Sequence, residues 1–246
     1  MKIEAENIKP YDDAAGKTGQ VEAMFDSIAP AYDTMNRLMT MGIDRAWRRK
    51  AVRITAASRP ADILDVATGT GDFAINLARA IPAANVTGID LSEQMLAIGR
   101  RKVEKAGLSG RITMSQGDCL ALPFPDRSFD AVTVAFGVRN FESLQRGYAE
   151  MARVLRPDGL LCIIELAVPQ NRLVRPFYNI YTRRVIPMAG RLISSDPRAY
   201  TYLPSSIAAM PGGDKMLSLL TDAGLRDPRL IPLTLGVCAI YTATKP

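Results

Sequence analysis

Between Asp65 and Ala74 the chain has the sequence DVATGTGDFA, which follows an apolar run and begins an amphipathic stretch. Gly69 and Gly71 allow a tight turn and a close approach of the backbone to a ligand, and Ala74 is small. The order of strand, glycine-rich turn and helix is typical of α/β folds that bind nucleotides at this turn. The sequence therefore predicts a ligand site where the first strand ends.

Short apolar runs alternate with longer amphipathic stretches beyond this turn. Ser92 fits a helix N-cap, Gly107 lies just past the end of that helix, and residues 156–159 are typical of a turn. Such alternation indicates a mostly parallel sheet covered by helices on both faces. The predicted strands cover 63–66, 86–90, 112–114, 131–135 and 160–164, and the predicted helices cover 72–80, 92–106 and 142–155.

The composition limits the chemistry of such a site. The 246 residues include no histidine, so the commonest general base and metal ligand are missing and no metal site is predicted. Cys119, Cys162 and Cys238 form no C-x-x-C pair, which favours a reducing, cytoplasmic location. No apolar run approaches the roughly 20 residues that span a bilayer, and no signal peptide is expected. The net charge of +6 favours an anionic partner.

Acidic residues around the glycine turn distinguish two cofactor classes. Asp90 ends the second predicted strand, where a carboxylate accepts hydrogen bonds from the ribose of a dinucleotide or of another adenosine cofactor. Asp72 falls in the helix turn that receives a pyrophosphate in dinucleotide enzymes, and its charge would repel that anion, although it would equally complement the helix dipole. S-adenosylmethionine carries no phosphate, so Asp65 and Asp72 favour it over a nicotinamide cofactor. Asp118 and Cys119, after the third strand, are expected to hold the adenine ring, although the same segment also fits a surface turn.

Several motifs of the chain resemble those of one known family. Besides the T-G-T-G-D turn, they are F-D-x-I-A-x-x-Y-D-x-M-N at 25–36, L-P-F-P-D at 122–126, F-G-V-R-N at 136–140 and Y-T-Y-L-P-S-S at 200–206. From about residue 20 onward the chain resembles the ubiquinone/menaquinone biosynthesis C-methyltransferase family. The resemblance implies a class I methyltransferase fold, which is an α/β, Rossmann-like, mostly parallel seven-stranded sheet with helices on both faces, N-terminal helices and an inserted helical cap.

The same resemblance implies transfer of a methyl group from S-adenosylmethionine to a ring carbon of a prenylated quinol. The T-G-T-G-D and F-G-V-R-N motifs favour demethylmenaquinol over the ubiquinone precursor as that substrate. Many relatives have a serine where this chain has Ala135, so only backbone can replace a hydroxyl contact to the cofactor here. The expected cofactor site comprises Asp65, Gly69, Thr70, Gly71, Asp90, Asp118, Cys119 and Ala135.

A catalytic mechanism without imidazole follows from this chemistry. The cofactor brings the electrophile, and a ring carbon becomes nucleophilic when a neighbouring quinol hydroxyl, with a pKa of about 10, ionises. We expect Arg139 to stabilise the phenolate and Asn140 to orient it, because both follow the fourth strand at the edge where ligands bind. Tyr32 or Asp33 would close the pocket and relay the proton through water. Alternatively, Arg139 and Asn140 cap the helix that begins near residue 142.

A basic segment follows the predicted core of the sheet. Residues 170–203 contain a single acid, Asp196, and an apolar stripe at helical spacing that includes Phe177 and Tyr181. Basic amphipathic helices suit an anionic membrane surface, here the inner face of the plasma membrane, although a packed cap with solvated arginines has the same pattern. The stripe comprises Val174, Phe177, Tyr178, Tyr181 and Val185, and the arginines are Arg172, Arg175, Arg183, Arg184, Arg191 and Arg198.

We predict one methyltransferase domain over residues 1–246. It consists of an N-terminal helical region (1–55), a cofactor-binding core (56–168), a substrate- and membrane-facing cap (169–210) and a C-terminal helix and hairpin that complete the sheet (211–246). A homodimer is compatible with this organisation, and nucleic acid is not expected as a partner. Three alternatives stay open: methylation of another small molecule or RNA, a nicotinamide oxidoreductase, and an RNA-binding protein with Tyr178, Tyr181, Tyr200 and Tyr202 stacking on bases.

Overall fold

Helices precede the sheet in the computed structural model, which describes residues 3–11, 14–186, 188, 196 and 198–246. Pro30 lies in a short 3-10 turn between the second and third of them, where its ring removes an amide that a continuous helix would need. The helical pattern predicted for this region is confirmed. The helices are α1 (Glu4–Asn7), α2 (Lys17–Ile28), α3 (Tyr32–Met39) and α4 (Asp44–Ala57).

Seven strands form one sheet in the described part of the chain. Their order is β3-β2-β1-β4-β5-β7-β6; the first five are parallel, and β7 runs antiparallel to β5 and β6. The predicted fold class is confirmed, including the closing hairpin. The strands are β1 (Asp62–Val66), β2 (Asn85–Asp90), β3 (Ile112–Gln116), β4 (Phe129–Ala135), β5 (Leu155–Leu166), β6 (Arg226–Leu233) and β7 (Cys238–Thr244).

The strand order reverses direction at β1, which has β2 on one side and β4 on the other. In open parallel sheets ligands bind at such a switch point, beyond the carboxyl ends of the strands. The glycine-rich turn follows β1, and the F-G-V-R-N motif follows β4. The topology therefore brings the two motifs to the same edge.

Helices cover both faces of this sheet. On one face α4, α5 (Asp72–Ala80) and α6 (Glu93–Lys105) bury an apolar core, and on the other α7 (Leu144–Val154) and α10 (Asp214–Asp222) bury a second. The prediction of Ser92 as an N-cap is confirmed, because its hydroxyl accepts a hydrogen bond from Met95 N–H (3.1 Å). Gly107 follows α6 with a left-handed φ of 68°.

Two local predictions are wrong. Residues 156–159 do not form a turn ahead of the fifth strand; they lie within β5 as a bulge, since Phe129 pairs with Leu155 but Ala131 pairs with Leu160. Helix α7 begins at residue 144 rather than 142 because Ser143 caps it, its hydroxyl accepting from Arg146 N–H (3.3 Å). Arg139 and Asn140 therefore do not cap this helix.

The cap comprises α8 (Arg175–Ile180), which continues as a wider π-helical turn (Tyr181–Val185), and α9 (Arg198–Ala209). It packs on α2, α3 and α6 through an apolar cluster that includes Met24, Met35 and Tyr200. Of the arginines predicted for this segment, Arg191 and the side chain of Arg183 lie outside the described residues. No helix among the described residues combines the length and apolar character that crossing a bilayer requires.

Candidate active site

The glycine-rich turn after β1 has a left-handed backbone at Ala67, Gly69 and Gly71, with φ values of 52°, 57° and 77°. Thr68 N–H donates to the Ile89 carbonyl (2.9 Å), and Gly71 N–H donates to the Thr68 carbonyl (3.0 Å). The turn is therefore tied to β2 as well as closed on itself. Glycine takes this conformation without the strain that a side chain would add.

Asp90, at the end of β2, fastens this turn to the next helix. Its Oδ2 accepts from Gly69 N–H (2.8 Å), and its Oδ1 accepts from Ser92 N–H ahead of α6 (3.0 Å). Burial raises the pKa of Asp90 to about 6, although these backbone donors oppose the shift. Each carboxylate oxygen keeps capacity for another hydrogen bond, which the two hydroxyls of a ribose would fill.

A cavity opens between the glycine turn and the end of β3. Ile89, Leu91 and Leu120 give it apolar walls next to the Asp90 carboxylate. An adenosine needs this combination of apolar walls for the base and a carboxylate for the ribose, so the residues present fit S-adenosylmethionine. The predicted site residues that line this cavity are Tyr32, Gly69, Asp90, Asp118, Cys119, Ala135 and Asn140.

Lys102 on α6 contacts Asp33, Thr70 and Asp72, and none of these three residues lines that cavity. Its Nζ contacts Asp33 Oδ2 (2.8 Å), Thr70 Oγ1 (3.1 Å) and the Asp72 carboxylate, and Thr70 Oγ1 donates to Asp33 Oδ1 (2.6 Å). Asp33 and Thr70 thus anchor α3 to the glycine turn and do not line the cavity. Asp72 is neutralised by Lys102, so it lacks the free charge on which the preference over a nicotinamide cofactor was based.

Asp65 lies below the glycine turn rather than at the cavity. Its oxygens accept from the hydroxyls of Thr68 and Thr133, both at 2.7 Å. Burial raises the pKa of Asp65 to about 6 against these two donors. Gly71 packs towards β3, where a Cβ would lie 3.3 Å from Met114 Cε. Both residues shape the turn, and a direct contact of either with the cofactor stays a prediction.

Arg139 lies in a 3-10 turn (Val138–Asn140) after β4, and its guanidinium is buried against Glu165 of β5. Nη1 donates to Glu165 Oε1 (2.9 Å), and Arg139 N–H donates to Glu165 Oε2 (3.3 Å). Burial acts against the charge of Arg139, but Glu165 raises the pKa of the guanidinium above its usual value. Among the described residues, Arg139 Nε has no hydrogen-bond partner. A buried guanidinium with a free donor is suited to stabilising an anion.

Asn140 connects the cofactor cavity to the cap. Its Oδ1 accepts from Tyr202 OH of α9 (3.1 Å), which leaves the amide N–H groups of Asn140 able to donate. Burial raises the pKa of Tyr202 and of Tyr178 to about 12, with Arg139 opposing both shifts, so these phenols stay protonated at neutral pH. Tyr32 lines the same cavity as Asn140 and packs edge-on against Phe25.

The N-terminal helices support the turn that carries Arg139. The buried Lys17 Nζ donates to the carbonyl oxygens of Arg139 (3.1 Å) and Ala5 (2.6 Å), and burial lowers the pKa of Lys17 to about 8. Glu6 Oε1 accepts from Leu144 N–H (2.8 Å). Residues that precede the predicted motifs therefore position the backbone of the candidate catalytic turn.

Sequence analysis missed three charged residues of this site: Glu165, Lys17 and Lys102. Glu165 ends the apolar run of β5, and an acid at the carboxyl end of a buried strand is a signal that could have identified it. Lys17 and Lys102 carry no such signal, because lysines on helices are mostly exposed and unpaired. Tyr200 and Tyr202, proposed to stack on RNA bases, are buried, so they do not offer the open faces that stacking requires.

A family model described as the ubiE/COQ5 methyltransferase family matches residues 13–245 of this chain. The chain belongs to the ubiE/COQ5 methyltransferase family. Its membership confirms the predicted enzyme class, an S-adenosylmethionine-dependent methyltransferase, and the predicted cofactor. The nicotinamide oxidoreductase alternative is therefore wrong.

Individual proteins agree with this membership of the ubiE/COQ5 family. The chain is 47% identical over 245 residues to the demethylmenaquinone methyltransferase of Bacteroides fragilis, with all of both chains covered. It is 49% identical over 241 residues to that of Porphyromonas gingivalis, covering 98% of each. Its fold is similar to that of a SAM-dependent methyltransferase from Aquifex aeolicus, with a TM-score of 0.56, 21% identity and coverage of 76% and 82% of the two chains. At that identity the likeness shows the fold alone.

The raised pKa of Asp90 predicts that cofactor binding weakens in acid. Below about pH 6 the free protein holds Asp90 protonated, and a neutral carboxyl is a poorer acceptor for ribose hydroxyls. We expect the Kd for S-adenosylmethionine to rise about tenfold per pH unit below 6, since one proton must leave. Calorimetric titrations between pH 5 and 8 measure this slope.

Two variants identify the group responsible. Asp90→Asn should bind more weakly at pH 8 and show no slope, whereas Asp65→Asn should keep the slope because Asp65 lies outside the cavity. A pH-independent Kd in the unmodified enzyme would contradict a contact between the cofactor and the Asp90 carboxylate.

Proposed function

We propose that this methyltransferase moves a methyl group from S-adenosylmethionine to a ring carbon of demethylmenaquinol, the last step in forming menaquinol. The names of the relatives at 47% and 49% identity support this substrate over the demethylated ubiquinone precursor. The T-G-T-G-D and F-G-V-R-N motifs favour the same choice.

The position of the buried Arg139–Glu165 pair carries this proposal. Asn140, the next residue, lines the cofactor cavity, and Glu165 lines a second cavity of about 1730 Å³ below the cap. Through these two residues the ion pair adjoins both cavities. A quinol in the second cavity would approach the cofactor past a buried cation, which is the group that a developing phenolate needs.

Bound S-adenosylmethionine supplies a methyl group on a positively charged sulfur, and the residues of the chain prepare the ring carbon that receives it. Arg139 stabilises negative charge on the quinol oxygen and lowers the phenolic pKa from about 10 towards neutrality. Asn140, held by Tyr202, donates to that oxygen and orients it. Tyr32 closes the cavity and passes the phenolic proton to water. After transfer the methylated ring carbon loses its hydrogen as a proton and the oxygen regains one, which restores the aromatic quinol with one net proton released. Asp33 acts by anchoring α3, since Thr70 and Lys102 hold its carboxylate.

The second cavity suits the prenyl tail of such a substrate. Its walls include Leu166 at the end of β5, Val168 just after that strand, Ile207 of α9 and Leu230 of β6. Aliphatic side chains on several elements provide a path for an isoprenoid chain, and such a path does not require one particular tail length. The tail would leave the ring at Glu165 and run below the cap towards the surface.

Methyl transfer to two quinols tests the substrate. With radiolabelled S-adenosylmethionine, reduced demethylmenaquinone should be methylated at least tenfold faster than the demethylated ubiquinone precursor of equal tail length. Preference for the ubiquinone precursor would reassign the substrate, and transfer to neither quinol would contradict the proposed function. Oxidised demethylmenaquinone is the matched control, because it has no hydroxyl to ionise.

We also propose that the enzyme works on the cytoplasmic side, at the inner face of the plasma membrane, with its cap against anionic lipid. Phe177 and Val185 of the predicted stripe are exposed, whereas Tyr178 and Tyr181 are half-buried. Arg172, Arg175 and Arg184 are also exposed, which gives the cap the basic amphipathic surface that binds such membranes.

A further inference from the structure

The exposed large apolar side chains of the described residues are confined to three segments of the chain. We name these segments the helix turn (37–43, the end of α3 and the turn before α4), the cap segment (170–188) and the hairpin turn (229–237, the end of β6 and the turn before β7). Large apolar side chains are usually exposed singly and scattered, so this concentration indicates an interaction surface. The side chains are Leu38, Met41, Ile43, Leu173, Phe177, Ile180, Val185, Met188, Leu230 and Leu235.

The three segments meet at one edge of the molecule. Tyr181 OH of the cap segment donates to the Met39 carbonyl of the helix turn (2.9 Å). Trp47 Nε1, on the helix that follows the helix turn, donates to Thr234 Oγ1 of the hairpin turn (2.8 Å). Cys238 pairs with Leu166 at the end of β5, so the hairpin turn lies at the carboxyl edge of the sheet, as the active site does.

The charge of these segments has one sign. Residues 37–43, 170–188 and 229–237 contain no aspartate or glutamate. The nearest acid to the helix turn, Asp44, is buried and paired with Arg48. Apolar side chains among arginines that have no acid in the same segments complement an anionic lipid surface, where lipid phosphates meet the cations and acyl chains meet the apolar groups. The arginines are Arg37, Arg172, Arg175, Arg183, Arg184 and Arg229.

Two of the apolar side chains lie at backbone positions that disfavour them. Met41 and Leu235 have left-handed φ values of 49° and 55°, yet they are 75% and 70% exposed. Folding alone would favour glycine or asparagine at both positions, because these residues adopt this conformation at lower cost. Neither side chain is among the buried residues of the core, so an apolar contact outside the chain would account for both.

We propose that the helix turn, the cap segment and the hairpin turn form a single membrane-docking face, which inserts Met41, Phe177 and Leu235 into an anionic bilayer. This face extends the membrane contact proposed above for the cap. It rests on the proposed function in one respect, namely that the prenyl tail of the substrate is held in the same bilayer. Three separated contacts fix the orientation of a protein on a surface, whereas one helix leaves it free to rotate. The face would hold the substrate cavity towards the lipid.

The double variant Met41→Asn/Leu235→Asn tests the two contacts outside the cap. Asparagine relieves the left-handed strain at both positions and removes the apolar side chains, so the variant should fold at least as stably. We expect its partitioning onto vesicles of phosphatidylcholine and phosphatidylglycerol to fall at least tenfold. Turnover of a short-tailed, water-soluble quinol should be unchanged in the single variant Met41→Asn, because Met41 does not line the second cavity, whereas Leu235 does. Arg59→Asn is the matched control, because Arg59 is exposed at a φ of 51° ahead of β1, at the opposite edge.

Each of the other possible results would contradict a different part of the membrane proposals. Vesicle binding equal to that of the unmodified enzyme in the double variant would refute the three-part face and leave the cap as the sole contact. Equal, negligible binding of the unmodified enzyme to anionic and neutral vesicles would refute both membrane proposals, while methyl transfer to the short-tailed quinol still tests the chemistry. A dimer in sedimentation velocity that the double variant dissociates would assign the face to a second copy of the chain.

Discussion

Arg139→Lys is expected to lower kcat by about 10²- to 10³-fold while the Kd for S-adenosylmethionine stays unchanged. Lysine keeps a positive charge opposite the buried Glu165, so the fold is preserved. It loses the planar guanidinium, which binds Glu165 through Nη1 and can donate to a phenolate through Nε. Steady-state kinetics with a short-tailed demethylmenaquinol and calorimetry with the cofactor measure the two quantities.

The pH dependence of kcat distinguishes stabilisation of the phenolate by Arg139 from a purely structural role of this residue. Without Arg139 at the phenolate, the substrate hydroxyl must ionise nearer its ordinary pKa of about 10, so kcat of the variant should keep rising above pH 8 where the unmodified enzyme has levelled. Arg139→Ala is less informative, since it leaves Glu165 buried without a counter-charge at a cost of about 3–5 kcal/mol.

A matched pair of variants completes the test. Arg139→Met/Glu165→Gln removes both charges, so its stability should be close to that of the unmodified enzyme while its turnover stays low. Arg146→Lys, exposed on α7, should leave both stability and turnover unchanged. Near-normal turnover in Arg139→Lys and in the double variant would remove Arg139 from the mechanism.

Asp90→Ala should weaken binding of S-adenosylmethionine by roughly 10²- to 10⁴-fold. The substitution removes two ribose contacts to a charged acceptor, each worth about 1.5–3 kcal/mol, and it also frees Gly69 N–H and Ser92 N–H, which Asp90 holds. The change is measured by calorimetry at pH 8, where Asp90 is ionised.

Asp118→Ala is the matched control for that loss. Asp118 lines the same cavity but accepts one local backbone bond, from Leu120 N–H (2.8 Å), so we expect a weakening of only about tenfold. Equal losses at the two positions would contradict the assignment of the ribose to Asp90, and thermal unfolding without cofactor shows whether either variant has lost the fold.

The sequence was sufficient to predict the sheet and the cofactor edge because both depend on local patterns. β1, α5 and β2 follow from apolar runs, glycines and helix ends within a few residues of one another, and the structure has α5 at the predicted Asp72–Ala80. Residues 156–159 were misassigned because a proline, an aspartate and a glycine favour a turn locally. In the fold, Arg156 instead binds Asp62 (3.0 Å) and Asp130 (2.8 Å), which holds the bulge at the strand ends.

The pairings at the site could not be predicted, because they join residues that are distant in sequence. Nothing near Asp33 shows that Lys102 will occupy its carboxylate, so Asp33 was expected at the cavity. Likewise nothing near Arg139 shows that Glu165 will neutralise it. Sequence analysis therefore found which residue types the chemistry needs, and only the fold shows which of them are already engaged.

The support of the Arg139 turn by the N-terminal helices has a consequence for the order of folding. Lys17 and Arg139 are 122 positions apart, and Glu6 and Leu144 are 138 apart. Lys17 and Glu6 thus find their partners only after β4 has been synthesised. Contacts of such sequence separation form late, because loop closure must precede them. We therefore expect the turn that bears Arg139 to be secured, and activity to appear, in a late stage of folding.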